Sequence, residues 1–189
     1  MPSSDVSQPV RAPADPVDTR LMLAGGCEEA AAVLGVAVST GATLPFSVVR
    51  LLARLQNDLY DISAVVRAGV RGDEPPVELR DVYVERVDRA VEHYEAMLEP
   101  AVVAALPGGT HTGASLHHAR TVVFRAERAA RAVGADPMII RYLVALEVLV
   151  VVLARLANAE HGDTDWQPGL SGRLDRIELW EPLPEGWGP

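Results

Sequence analysis

LPGGTHTGASLHHARTVVFRAERAARAVGADPMIIRYLVALEVLVVVLARLAN, residues 106–158, decides the fold. Pro107, Gly108 and Gly109 break whatever helix precedes them. Leu116, Ala119, Val123, Ala126, Ala130 and Val133 then recur at helical spacing, which predicts a helix from about Thr112 to Val133 closed by Gly134. Asp136 stands where an N-cap belongs and Pro137 at the first helical position; the run that follows to Asn158 is apolar nearly all round, as expected of a central helix. The first of these helices also places Arg120, Phe124, Glu127, Arg128 and Arg131 on one stripe, because residues three or four apart share a face. A polar stripe opposite an apolar one marks a candidate site.

Working outward, Val48, Leu52, Leu55, Leu59, Ile62 and Val66 predict an amphipathic helix from Pro45 to about Ala68, and Gly69 to Pro76 reads as a breaker. Val84, Val87, Val91, Tyr94 and Leu98 give a third helix that stops before Leu106. An Ala-rich run from Thr19 to about Ser39, weakened by Gly25 and Gly26, gives another. Five helices with short connections read as an all-α five-helix bundle. Residues 1–17, rich in Pro, Ser, Ala and Asp, read as a flexible leader, 18–169 as the bundle, and 170–189 as a C-terminal extension. Trp180 and Trp187 in that extension suit either a cover for a pocket or a loosely ordered tail.

Composition removes several function classes. A formal charge of −9 argues against non-specific binding to nucleic acid. No lysine occurs anywhere, so Schiff-base chemistry and lysine-dependent phosphate loops are excluded. Cys27 is the only cysteine, which rules out an internal disulfide, and the five histidines show no ligand spacing, so no metal site is expected. The N-terminus lacks the apolar core of a signal peptide, and a cytoplasmic location is the expectation. The apolar run between Arg141 and Arg155 is interrupted by Glu147 and falls short of the ~20 residues that a bilayer requires, so no membrane span is expected.

LPGG at 106–109, LHHARTV at 116–122, RAER at 125–128 and ARLAN at 154–158 together resemble the ATP:cob(I)alamin adenosyltransferases of the propanediol-utilisation type. That family reads roughly LPGG, LHxARTVxRRAER and LARxAN in the same order. LQNDLYDISA at 55–64 resembles its IQNDLFDLGA, and Trp166-Gln167-Pro168-Gly169 its WxPG, so the resemblance spans roughly residues 18–169. It implies a homotrimer with small-molecule sites between subunits. It also implies cobalamin and ATP with Mg as ligands, if the family activity is retained. Arg125, Glu127, Arg128 and Asn158 match the family's RRAER and LARxAN positions, and the resemblance implies them as contacts to phosphate and ribose.

Other positions depart from the family. Arg11 to Thr19 reads RAPADPVDT where the family carries TxTGDxGxT around the triphosphate. Phe124 replaces the first arginine of RRAER, whose aspartate partner aligns with Glu28, so an Arg–carboxylate bridge across the site is not expected. Ala104 stands where the family has a phenylalanine that helps displace the lower ligand of cobalt, and Val148 replaces an aspartate beside Glu147.

These losses around ATP and cobalt, set against an intact core pattern, read as repurposing: the pocket between subunits serves another small molecule. Glu28 and Glu147 are then candidate acid or base, with Phe124, Arg120 and Ala104 lining the pocket. Alternatives are an active ATP-dependent corrinoid adenosyltransferase and a corrinoid carrier without turnover. Each residue also has a plain reading. The charged side chains suit i,i+4 ion pairs on a wet face, Phe124 a vacancy in the core, His117 helix packing, and Glu28 and Glu29 two surface charges about 100° apart. Glu147, an acid among Leu146, Val148 and Leu149, must find a partner or take up a proton.

Overall fold

A computed structural model describes residues 15–40, 44–100 and 104–170. Arg11 to Ala14 of the TxTGDxGxT counterpart, and Trp180 and Trp187, lie outside the described residues, while Asp15 precedes and Pro16 to Thr19 begin the first helix. Among the described residues five helices form: α1 (Pro16–Thr40), α2 (Phe46–Arg71), α3 (Val82–Glu95), α4 (His111–Ala132) and α5 (Pro137–Ala157). In space they neighbour one another in the order α2, α1, α4, α5, α3.

Capping chemistry sets most of the boundaries. Asp136 accepts from the Met138 N–H at 2.8 Å ahead of Pro137, and Asp15 does the same for Val17 ahead of Pro16, so α1 opens earlier than its apolar run suggests. Thr110 Oγ1 accepts from Gly113 N at 3.0 Å to start α4. Gly134, with φ 59°, follows the end of that helix. Gly69 does not break α2, contrary to its reading as the start of a breaker. The helix runs a further turn and ends at Gly72, whose φ of 75° supplies the left-handed cap with its N–H on Ala68 O.

The core is built largely of alanine, valine and leucine. Gly26 lets α1 approach α4 so closely that an added Cβ would sit 3.1 Å from Ala126 Cβ. Cys27 is fully buried, and burial pushes its thiol up to about 12, which leaves it inert as a nucleophile. α5 is less enclosed than its all-round apolar sequence suggested: Val144 and Val148 are exposed, and the centre is shared with α1 and α4. By length and composition α1 and α5 each suffice to cross a bilayer, yet their large apolar side chains Leu23, Leu34, Leu143, Leu146, Leu149 and Leu153 are buried in this core.

One end of the bundle is closed by a single side chain. Asn158, 1% exposed, accepts on Oδ1 from Thr110 N at 2.9 Å and Thr110 Oγ1 at 3.0 Å. Its Nδ2 donates to Gly108 O at 3.1 Å and to Asp163 Oδ1 at 3.0 Å. The carboxamide so fills its space that a Cβ on Gly109 would fall 2.4 Å from Nδ2 and one on Gly113 2.1 Å from Oδ1. Beside it Leu106 N donates to Thr164 O at 2.7 Å and Trp166 N to Ala104 O at 2.8 Å, pinning the chain before α4 to the chain after α5. The glycines of LPGG and the asparagine of ARLAN are thus one packed unit separated by most of α4 and α5.

Two stability outcomes follow. Gly26→Val wedges α1 from α4 and lowers unfolding free energy by about 1–3 kcal/mol in urea denaturation; no change would refute the close approach. Asn158→Ala leaves buried backbone groups unpaired and costs at least about 2 kcal/mol. A loss below about 0.5 kcal/mol, the range of ordinary surface substitutions, would show that the carboxamide does not hold this end together.

Candidate functional site

The outer face of α4 gathers the polar stripe anticipated from sequence. Ion pairing settles most of its members. Glu127, 5% exposed, is held by Arg131 one turn on, and Arg120 Nη1 donates to Glu147 Oε1 at 3.2 Å, joining α4 to α5. Glu147 therefore has the partner that its apolar neighbours demanded.

Arg125 reaches across to Glu29 of α1. Phe124 leaves Glu28 without a bridge to α4, as expected; an Arg–carboxylate bridge between α1 and α4 is made instead one residue along each helix, by Arg125 and Glu29. Glu28 points away from it toward α2, as its neighbour's 100° offset requires. There Arg67 grips it in two-point fashion, Nε to Oε1 at 2.9 Å and Nη2 to Oε2 at 3.0 Å, with Ser63 Oγ donating at 2.6 Å. Hydrogen bonds from Arg67 and Ser63 hold the Glu28 carboxyl below the ordinary carboxylate range, against a smaller opposing push from burial. A carboxylate held anionic in this way is poorly suited to donate a proton.

Arg128 is the exception on the stripe. It is exposed, and among the described residues it pairs with no carboxylate; its guanidinium lies 5.9 Å from the ring centroid of Phe124, one turn back. Phe124 is 45% exposed and fills no core vacancy. The pair presents a flat aromatic face and an unneutralised guanidinium to solvent. Such a group is able to receive an anion.

About 12 Å back along the helix from Arg128, at 1.5 Å per residue, Arg120 borders a cleft of about 660 Å³. Ala104, Pro107, His117, Val151, Arg155 and Asp163 also line it. Its wall is the closed end described above. Arg155 donates to Glu99 O at 2.6 Å and lies 3.5 Å from Asp163, so both charged lips are tied to the fold.

His117 is the residue that sequence reasoning undervalued. It is 4% exposed, faces this cleft, and its Nε2 has no hydrogen-bond partner. Burial pushes its imidazole below the ordinary value, with Arg120 adding to that effect and Asp163 opposing it, so the ring is neutral near pH 7. Its only sequence signal was an adjacent His-His pair within LHHARTV.

Asn158, placed among the candidate ligand contacts, has both ends of its carboxamide occupied by the protein. The structure thus brings Arg120 and Ala104 together around the cleft, with Glu147 behind Arg120 as its ion-pair partner, sets Phe124 and Arg128 along the same helix face, and turns Glu28 toward α2.

The cobalamin adenosyltransferase family is matched over residues 14–157. A corrinoid adenosyltransferase of Mycobacterium tuberculosis is 36% identical over 160 residues, covering 80% of this chain and 82% of that protein. A cobalamin adenosyltransferase of Cupriavidus metallidurans is 32% identical over 154 residues, covering 78% and 80%. Among solved structures, a phenylalanine-to-alanine variant of the PduO-type ATP:corrinoid adenosyltransferase from Lactobacillus reuteri, complexed with cobalamin and ATP, superposes with a TM-score of 0.70 at 21% identity over 86% of this chain and 92% of that one. An arginine-to-lysine variant of the same enzyme, complexed with ATP, gives 0.71 at 19% identity over 86% and 93%. At that identity the superpositions establish the fold, and the sequence relatives establish the kinship. The chain belongs to the cobalamin adenosyltransferase family.

Proposed function

We propose that the protein is an ATP-dependent corrinoid adenosyltransferase, joining the 5′-carbon of ATP to the cobalt of a reduced corrinoid. The observation that carries this reading is the 36% identity, across 80% of the chain, to relatives named for that activity. The repurposed pocket, which the departures from the family motifs suggested, has less behind it. Glu28 is neutralised by Arg67 and Glu147 by Arg120, so neither is left as a free acid or base for new chemistry.

In the reaction the cobalt–carbon bond forms as the C5′–O bond breaks, and the leaving triphosphate takes the electron pair and carries the developing charge. The protein's task is to hold the two reactants in line and to stabilise that anion. Arg128, unpaired and exposed, is the group we assign to the triphosphate, with Phe124 beside it. The cleft lined by His117, Arg120 and Ala104 is assigned to the corrinoid, whose amide periphery offers hydrogen-bond partners to the half-exposed Arg120.

Asn158 acts here by positioning the LPGG turn rather than by touching ligand. Glu127 orients Arg131, and Arg125 ties α4 to α1. With alanine at position 104, the corrinoid side lacks the aromatic ring that the family resemblance led us to expect, so displacement of cobalt's lower ligand falls to the rest of the cleft. Assembly as a homotrimer with the site between subunits completes the reading. The apolar groove between α3 and α5, which includes Val91, Ile140, Val144 and Val148, supports association with another copy.

Purified protein given ATP and chemically reduced cobalamin should form adenosylcobalamin, followed by its absorbance change. Arg128→Gln should lower kcat/KM by about a hundredfold, without loss of fold, because the side chain is exposed. Binding of both substrates without formation of the cobalt–carbon bond would replace the enzyme by a carrier. Undiminished turnover in Arg128→Gln would remove that residue from the site.

A further inference from the structure

Between α2 and α3, on a face not used above, lies a groove of about 430 Å³ lined by Arg50, Arg54, Arg86 and Arg89, with His93 and Tyr94 at one side. Four of the 17 basic residues of a chain with net charge −9 therefore line one groove, and no carboxylate does. Arg50 and Arg54 are one helical turn apart and pair with no carboxylate among the described residues. Like charges at that spacing repel, and they destabilise the helix unless an anion sits between them.

The opposite wall is built rather than loose. Asp58 is 4% exposed and accepts from Arg86 Nη1 with both oxygens at 3.1 Å, while Tyr142 of α5 donates to the same carboxylate at 3.2 Å. Burial pushes Asp58's carboxyl up, and Arg86 and Tyr142 oppose it. The Arg86 guanidinium is thereby fixed from behind, 5.7 Å from the Tyr83 ring centroid, with its Nε and Nη2 donors not engaged by Asp58. Tyr83 OH donates to Asp61 at 2.9 Å and ties α3 to α2 at the same place. Arg89 lies one turn along α3 and only 3.6 Å from the exposed Glu85, a loose pair that an anion readily displaces.

We propose that this groove is a binding site for a phosphate-bearing small anion, separate from the α4 face. Planar, forked donors on two facing helices match phosphate oxygens from both sides, and the anchored Arg86 lowers the ordering that binding requires. The volume suits an oligophosphate or a nucleotide's phosphate chain rather than a macromolecular surface.

Inorganic triphosphate is the probe, titrated calorimetrically into the full chain carrying Arg128→Gln so that the phosphate contact assigned above to ATP does not contribute. This protein should bind one triphosphate per chain. Adding Arg50→Gln and Arg54→Gln should weaken binding at least about tenfold, whereas adding Arg20→Gln and Arg80→Gln, an equal loss of charge elsewhere, should change it by less than about twofold. All four positions are exposed, so folding is preserved, as circular dichroism will show. Absence of binding to the Arg128→Gln protein, or equal weakening by the two arginine pairs, overturns the proposal.

Discussion

The carboxamide of Asn158 is the constraint on which the rest of the functional end depends. An asparagine buried at the end of α5 requires partners for two donors and two acceptor positions, and it takes them from Thr110, Gly108 and Asp163. Those bonds set the turn that starts α4, fix Asp163 near Arg155, and leave no room for a side chain at Gly109 or Gly113. The cleft beside them keeps its shape because both of its chain segments are pinned to one residue. Arg120 then borders open space on a rigid helix, with His117 buried in the cleft wall behind it.

Electrostatics on α4 works by elimination. Each acidic side chain named for the site is paired with an arginine: Glu28 with Arg67, Glu29 with Arg125, Glu127 with Arg131, Glu147 with Arg120. The exposed pairs contribute little to stability. Their consequence is chemical: they leave Arg128 as a cation on this face without a counter-ion among the described residues, in a chain where arginine must do all the anion binding because lysine is absent.

Much of this was legible in the sequence, and the failures share a cause. Local signals carried well: the apolar spacing of α2 and α4, the Asp-Pro start of α5, and the LPGG, RAER and ARLAN pieces that marked the family. The Asp15-Pro16 start of α1 has the same form as Asp136-Pro137 and was hidden only by the polar composition around it. What stayed illegible was long-range pairing. Nothing near Glu28 announces Arg67, 39 residues on, and a departure at Phe124 therefore looked like a lost bridge when carboxylates had found partners nearby. Likewise Asn158 read as a ligand contact because a motif marks importance without stating whether the importance is chemical or architectural. Gly113, inside an otherwise ordinary helix start, was the unread clue to its packing. The inference of repurposing grew from these local departures, and relatives that match most of the chain weigh against it.

On the proposed reading one face of α4 serves both substrates, with phosphate at Arg128 and corrinoid at the His117 cleft. A crystal structure of the protein with ATP and cobalamin tests it most directly. Triphosphate density is expected against the Arg128 guanidinium and the corrin ring in the cleft beside His117, with the ribose 5′-carbon between them. Phosphates seated away from α4, or a corrin ring bound outside that cleft, would contradict it.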